Sequence, residues 1–198
     1  MSGKLEKRKQ ENARLKAKQE RKAALKKLRK HFLPLMIAIA LWLIAIIIIH
    51  LPGIKQAAFE FFVGFTLESS VAMGKLFFLP VESHSFPYIT VDGYTMKVVM
   101  ECTAYNFYIF VIFLSLLSPV SWKNRLITLG VFLAAVFVVN NLRFYVMGFI
   151  GKNNPEWFDY THDYLWNILF GLMVFLIWVW RYKKVWDKEM PVSESKSN

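Results

Sequence analysis

Residues 32–51 form an almost uninterrupted apolar run, and that run most constrains what the chain can become. A charge-free stretch of roughly 20 residues is long enough to cross the hydrocarbon core of a bilayer as a helix. In lipid no water satisfies the backbone, so a crossing segment is helical or belongs to a closed barrel. Three further apolar runs, at about 103–120, 126–149 and 164–180, repeat the pattern. With 56% hydrophobic and 17% aromatic residues among 198, the chain holds more apolar surface than a soluble domain of this length needs. The expected fold is an all-α membrane protein with about four transmembrane helices. Pro34 falls in the first turn of the first span, where proline is tolerated.

The net charge of +11 suggests nucleic acid until it is located. Residues 1–30 hold 13 Lys/Arg and 3 Glu, whereas the other 168 hold 12 Lys/Arg and 11 Asp/Glu. The basicity is therefore an arm that directly precedes a span. Positive-inside topology places such an arm in the cytoplasm, and anionic lipid headgroups attract it. A nucleic-acid partner is not expected, because single-strand readers interleave stacking aromatics and the arm has none before Phe32. Residues 4–30 lack Pro and Gly and are rich in helix formers. The leucines Leu5, Leu15, Leu25 and Leu28 are too sparse for a coiled coil. The long charged region without an A-x-A-like site does not read as a cleavable signal peptide.

Parity orders the remaining segments. The loop Ser121-Trp122-Lys123-Asn124-Arg125 and the stretch Arg181-Tyr182-Lys183-Lys184 are basic and read as cytoplasmic, so both termini are expected there. The first span then ends outside, and residues 53–101 cross zero or two times. Residues 56–79 are apolar but carry Glu60, Glu68, Ser69, Ser70, Gly74 and Lys75. A carboxylate at bilayer centre costs roughly 2.5–3.5 kcal/mol, so an outer interfacial helix is expected; the alternative is a fifth span with the topology rearranged. Residues 88–100 alternate around Asp92-Gly93, the signal for a small extracytoplasmic β-hairpin with a type I′ turn. The polar tail after Met190 is expected to be disordered.

Chemistry gathers at the outer helix ends. Cys102 is the single cysteine and cannot form an intrachain disulfide. It sits at the first turn of its span, where unpaired N–H groups favour a thiolate. Arg143 lies 17 residues beyond Leu126, roughly 26 Å along a helix at 1.5 Å per residue. His162 precedes the last span, again outside. Ionisable groups in membrane segments are rare and read as functional. Asn140 and Asn141 bury amides beside Arg143, and Asn140 shares its helix face. The bland readings are a small apolar cysteine, a snorkelling arginine and a helix-start histidine. His31 and His50 fit the bland reading, and His84 in the outer loop is a rival to His162. No clustered His/Asp set suggests a metal, and no cofactor is expected.

The ordered set Glu101-Cys102-Thr103-Ala104, Asn141-Leu142-Arg143 and His162 resembles the exosortase/archaeosortase family over about residues 85–182. The stretch Asn154-Pro155-Glu156-Trp157-Phe158-Asp159, with His162 and Trp166, looks most like its short exosortase H-type branch. Many members have Gly two residues after the cysteine, where this chain has Ala104. The resemblance implies a multi-span membrane cysteine protease or transpeptidase with essential Cys, Arg and His. It also implies exported proteins as partners, each ending in a short motif, a transmembrane helix and a basic tail. Cys102 would be the nucleophile, Arg143 the oxyanion or thiolate stabiliser, and His162 the general acid/base. Asp159, three residues before His162, could orient it. The organisation expected is a basic cytoplasmic arm (1–31), a membrane catalytic domain (32–184) and a cytoplasmic tail (185–198) of a cell-membrane protein, with the active site on the outer face. A non-catalytic scaffold with a lipid-binding arm and a small anion transporter are the other classes that fit.

Overall fold

The computed structural model describes residues 2–186. The tail after Met190, expected to be disordered, lies outside the described residues.

One helix, α1 (Ser2–Ile49), carries both the basic arm and the first apolar run. Pro34 therefore sits inside a 48-residue helix, not in a first turn. The helix formers upstream propagate the ladder past the arm, and the proline removes a single donor from it. α2 (Pro52–Leu76) follows at once, with proline at its start and Lys75 in its last turn. The third and fourth apolar helices are α3 (Tyr105–Leu117) and α4 (Trp122–Asn153). A single turn α5 (Phe158–Tyr160), a π-helical turn (Thr161–Leu165) and α6 (Trp166–Arg181) complete the bundle. Residues Phe32–Ile49 and Trp122–Asn153 are long and apolar enough to cross a membrane. α3 has 13 residues, about 20 Å of helix, shorter than the ~30 Å hydrocarbon core. Its expected start at 103 is lost to a tight turn around the cysteine.

Aromatic and amide contacts fix the packing. Trp42 Nε1 donates to the Asn106 carbonyl at 3.1 Å, and the Trp42 ring meets Phe110 edge-on. Higher on the same pair, the rings of His50 and Tyr105 lie 6.3 Å apart, so α1 and α3 run antiparallel. Phe107 of α3 stacks on Phe170 of α6 at 4.9 Å. At the other end of α6, Arg181 is buried and its Nε donates to Thr128 Oγ1 of α4 at 2.9 Å. A buried cation without a partner is costly, and this bond ties α6 to the start of α4.

The hairpin forms as expected and gains a strand. β2 (Tyr88–Val91) and β3 (Tyr94–Lys97) pair antiparallel, closed by Val91 opposite Tyr94. Asp92 and Gly93 both have positive φ (50° and 82°), the geometry a type I′ turn requires. β1 (Val81–Glu82) adds to the far edge of β2, giving the order β1-β2-β3. Two residues are too short a segment for alternation to reveal.

Two glycines on α4 let the sheet dock on it. A Cβ at Gly148 would lie 2.4 Å from Val91 Cβ, and one at Gly151 would lie 2.2 Å from the Tyr94 ring. Lys152 Nζ pairs with Asp92 at 2.8 Å across the same contact. α2 is held alongside: Ser70 Oγ donates to Asn141 Oδ1 at 2.8 Å, and Tyr145 OH donates to the Ser70 carbonyl. Both ends of α2 lie at the same end of the bundle. Pro52 and Lys55 share a cavity with His50 and Glu101, while Gly74 packs on Val81 of the sheet.

Candidate active site

Cys102 sits in a 3-10 turn, Met100–Thr103, between the sheet and α3. Its own N–H donates to the Val99 carbonyl at 2.9 Å. The chain then turns sharply into α3 through Ala104, which adopts the left-handed conformation (φ 54°, ψ 20°) and caps the helix. Glycine adopts this conformation without steric cost, whereas an L-residue loses roughly 1–2 kcal/mol. The glycine common at this place in the resembling family thus has a physical reason here. Alanine is the smallest side chain that keeps the turn while filling its site, and Ala104 is buried.

His162 comes from the π-helical turn that opens the last helix. Inserting a residue into a helix redirects the side chains around it, and such turns concentrate at functional sites. Here the imidazole is brought to the thiol: Cys102 Sγ and His162 Nε2 are 3.0 Å apart. Phe158 stacks on the imidazole with rings 6.0 Å apart and only 10° from parallel, and its other neighbour is Tyr94 of β3. Arg143 is buried in α4, 4% exposed. Cys102, Arg143 and His162 line one cavity of about 380 Å³, together with β3, Phe158 and Asp159.

The electrostatics favour a thiolate. Burial pushes the Cys102 thiol up, because it disfavours the charged form. The His162 hydrogen bond pulls it down, and so do the Arg143 charge and a backbone hydrogen bond at Val99; together they leave the thiol below its usual range. An imidazole and a fixed cation around a cysteine make a nucleophile that is ionised nearer neutrality than a free thiol.

The other candidate residues fall in different places. Asn141 is buried and engaged twice, donating to the Phe137 carbonyl and accepting from Ser70, so it fastens α2 to α4. Asn140 is buried one residue away, and its Oδ1 has no hydrogen-bond partner among the described residues. Asp159 lines the cavity and is exposed. His84, the rival imidazole, pairs with Glu82 at 3.0 Å on the exposed sheet rim. His50 hydrogen-bonds the Ile46 carbonyl and lines the neighbouring cavity beside α2. Among the described residues no three His, Cys, Asp or Glu side chains gather to hold a metal. Sequence reading missed Phe158 as the support of the imidazole and β3 as a wall of the cavity. The hairpin signal immediately before Cys102 pointed to the second of these.

A family model described as transmembrane exosortase (Exosortase_EpsH) matches residues 23–179. The chain belongs to the transmembrane exosortase family. The match spans the arm's end, all the apolar helices and the three residues around the cavity. Exosortases are membrane cysteine peptidases or transpeptidases, and the thiol, imidazole and guanidinium of this chain meet in one pocket. No curated protein and no solved structure matches the chain.

Proposed function

We propose that this exosortase is a multi-pass protein of the cell membrane that cleaves the C-terminal sorting signal of exported proteins through a Cys102 thioester. The observation that carries the reading is the 3.0 Å contact between Cys102 Sγ and His162 Nε2, in a cavity also lined by buried Arg143. α1, α3, α4 and α6 cross the membrane in this reading, with both termini cytoplasmic and the cavity at the outer face. α2 stays at the outer interface, because a crossing helix would have its ends at opposite ends of the bundle.

The thiolate attacks the scissile carbonyl carbon, forming a C–S bond and a tetrahedral oxyanion. Arg143, in a site of low dielectric, stabilises that charge or the thiolate; one such interaction is worth several kcal/mol of barrier. The C–N bond breaks as the His162 imidazolium gives its proton to the leaving amine, whose transmembrane tail departs. Water, or an acceptor amine or hydroxyl, then attacks the thioester. His162 takes the acceptor's proton and the thiolate leaves. Asp159 is a supporting group at the cavity, Asn140 supports the site from its place three residues before Arg143 on α4, and Asn141 supports it through α2. The basic arm contacts anionic lipid.

Replacing Cys102 with alanine in cells tests the reading. Exported proteins carrying the signal should accumulate uncleaved while the variant still inserts in the membrane. Unchanged processing would contradict it.

A further inference from the structure

The cavity at Cys102 is lined by four consecutive strand residues, Tyr94, Thr95, Met96 and Lys97. Successive side chains of a strand point to opposite faces, so a cavity touching all four runs along the strand's edge. β3 is the edge strand of the sheet, and among the described residues no strand pairs with its outer side.

The register says which backbone groups that edge offers. A two-residue hairpin makes its closing pair, Val91 and Tyr94, a hydrogen-bonded one, and such pairs alternate. Met96 opposite Ile89 follows in the series, and Val98 N donating to the Pro87 carbonyl at 2.8 Å continues it. On the other side of β2, Thr90 pairs with Glu82 of β1, and the Asp92 N–H donates to the Pro80 carbonyl, as the same alternation requires. Thr95 and Lys97 therefore turn their N–H and C=O away from β2, into the cavity. Val99 is next in that row, also lines the cavity, and makes the backbone hydrogen bond that helps lower the Cys102 thiol.

We propose that the outer edge of β3 binds the extended peptide next to the scissile bond as an added strand, so that main-chain bonds to Thr95 and Lys97 deliver the carbonyl to Cys102. The occupant is an extended polypeptide backbone. Its main-chain bonds give affinity, and pockets for alternate side chains give specificity, as in other strand-addition complexes. The ladder runs directly toward the thiol, so binding and chemistry share one cleft. The Tyr94–Phe158 ring contact at 5.6 Å marks one end of the cleft. This inference rests on the cysteine-peptidase reading above.

The test uses the full chain in its membrane. The probe is the exported protein that accumulates uncleaved with Cys102→Ala. Thr95→Pro removes the outward N–H without removing a backbone bond of the β2–β3 ladder, and proline is tolerated on an edge strand. The control is Thr90→Ala on β2, outside the cavity lining, which breaks the same Thr90–Thr95 hydroxyl bond (2.9 Å) that the proline variant loses and leaves β3 unchanged. Cleavage should fall about tenfold or more in Thr95→Pro, the loss expected of a main-chain bond, and stay near wild type in Thr90→Ala. Alkylation of Cys102 by iodoacetamide should be unchanged in both, which shows that the site is intact. Wild-type cleavage in Thr95→Pro, or equal loss in both variants, overturns the proposal. A photo-crosslinking residue at Lys97 in the Cys102→Ala background supplies a second measurement that does not need the proline variant to fold. It should capture the uncleaved protein near its cleavage site, and no capture also overturns strand addition. Cleavage that ignores Cys102 altogether is a different result, because it defeats the peptidase reading before the edge is tested.

Discussion

Adding one methyl group at Gly148 should disable processing without touching any reactive group. The new Cβ would sit 2.4 Å from Val91 Cβ and 2.7 Å from its Cγ1. Carbon atoms in a packed core rest at about 3.5–4.0 Å, so the two backbones must separate by about 1 Å. The first clash is with Val91 Cβ, which is fixed to the backbone of β2 and cannot rotate away. Because β2 carries β3 with it, the wall of the cavity retreats from Cys102. Overpacking of this kind costs about 1–3 kcal/mol. A 1 Å misplacement of a substrate-positioning element lowers rate by about 100-fold. The assay follows cleavage of the exported substrate by immunoblot in a pulse–chase, with thermal stability of the purified chain in detergent. Gly130 on the same helix is the control, since a Cβ there meets nothing within 4 Å. Gly130→Ala should leave cleavage intact and raise stability by up to ~1 kcal/mol. Wild-type cleavage by Gly148→Ala, or equal damage from Gly130→Ala, would refute the docking account.

Two other outcomes follow from the turn and the thiol. Ala104→Gly relieves left-handed strain of about 1–2 kcal/mol, against ~0.8 kcal/mol for a buried methyl and ~0.4–1 kcal/mol of unfolded-chain entropy. Stability in detergent should stay within ~1 kcal/mol of wild type with cleavage retained, whereas Ala104→Val, β-branched at positive φ, should lose both; equal loss in the two contradicts the turn's role. His162→Ala removes a group that lowers the Cys102 thiol and leaves the burial that raises it. The midpoint of the pH profile for Cys102 alkylation should therefore move up and the thiolate fraction at neutral pH fall; an unmoved midpoint would separate the imidazole from the thiol.

Much of this site was legible because periodicity and charge carry direction along the chain. Parity placed Cys102, Arg143 and His162 at one end, and the packing of α1 on α3 and of α6 on α4 puts them around one cavity. Asp92-Gly93 specified its hairpin from two residues, since few residue pairs accept positive φ twice. What stayed hidden depended on tertiary contact. β1 is two residues long and exists only because β2 offers it an edge. The close seats at Gly148 and Gly151 exist only because Val91 and Tyr94 of the sheet lie on them, and no pattern along α4 announces that. His162 was the residue the sequence favoured over His84, but the π-helical turn that carries it to Cys102 is announced by no apolar pattern. Pro34 looked like a helix start because the apolar run begins beside it, but helix propensity in the basic arm decided the boundary. The opposite holds at Ala104: the family's glycine marked a turn, and the backbone adopts that turn with alanine.

The most direct test is the fate of the exported protein in cells whose chromosomal copy carries Cys102→Ala, with Cys102→Ser alongside. The account predicts full-length, membrane-retained substrate in both variants, at wild-type levels of inserted enzyme, and normal processing when the wild-type chain is restored. Mature substrate in the alanine variant would show that the thiol is not the nucleophile.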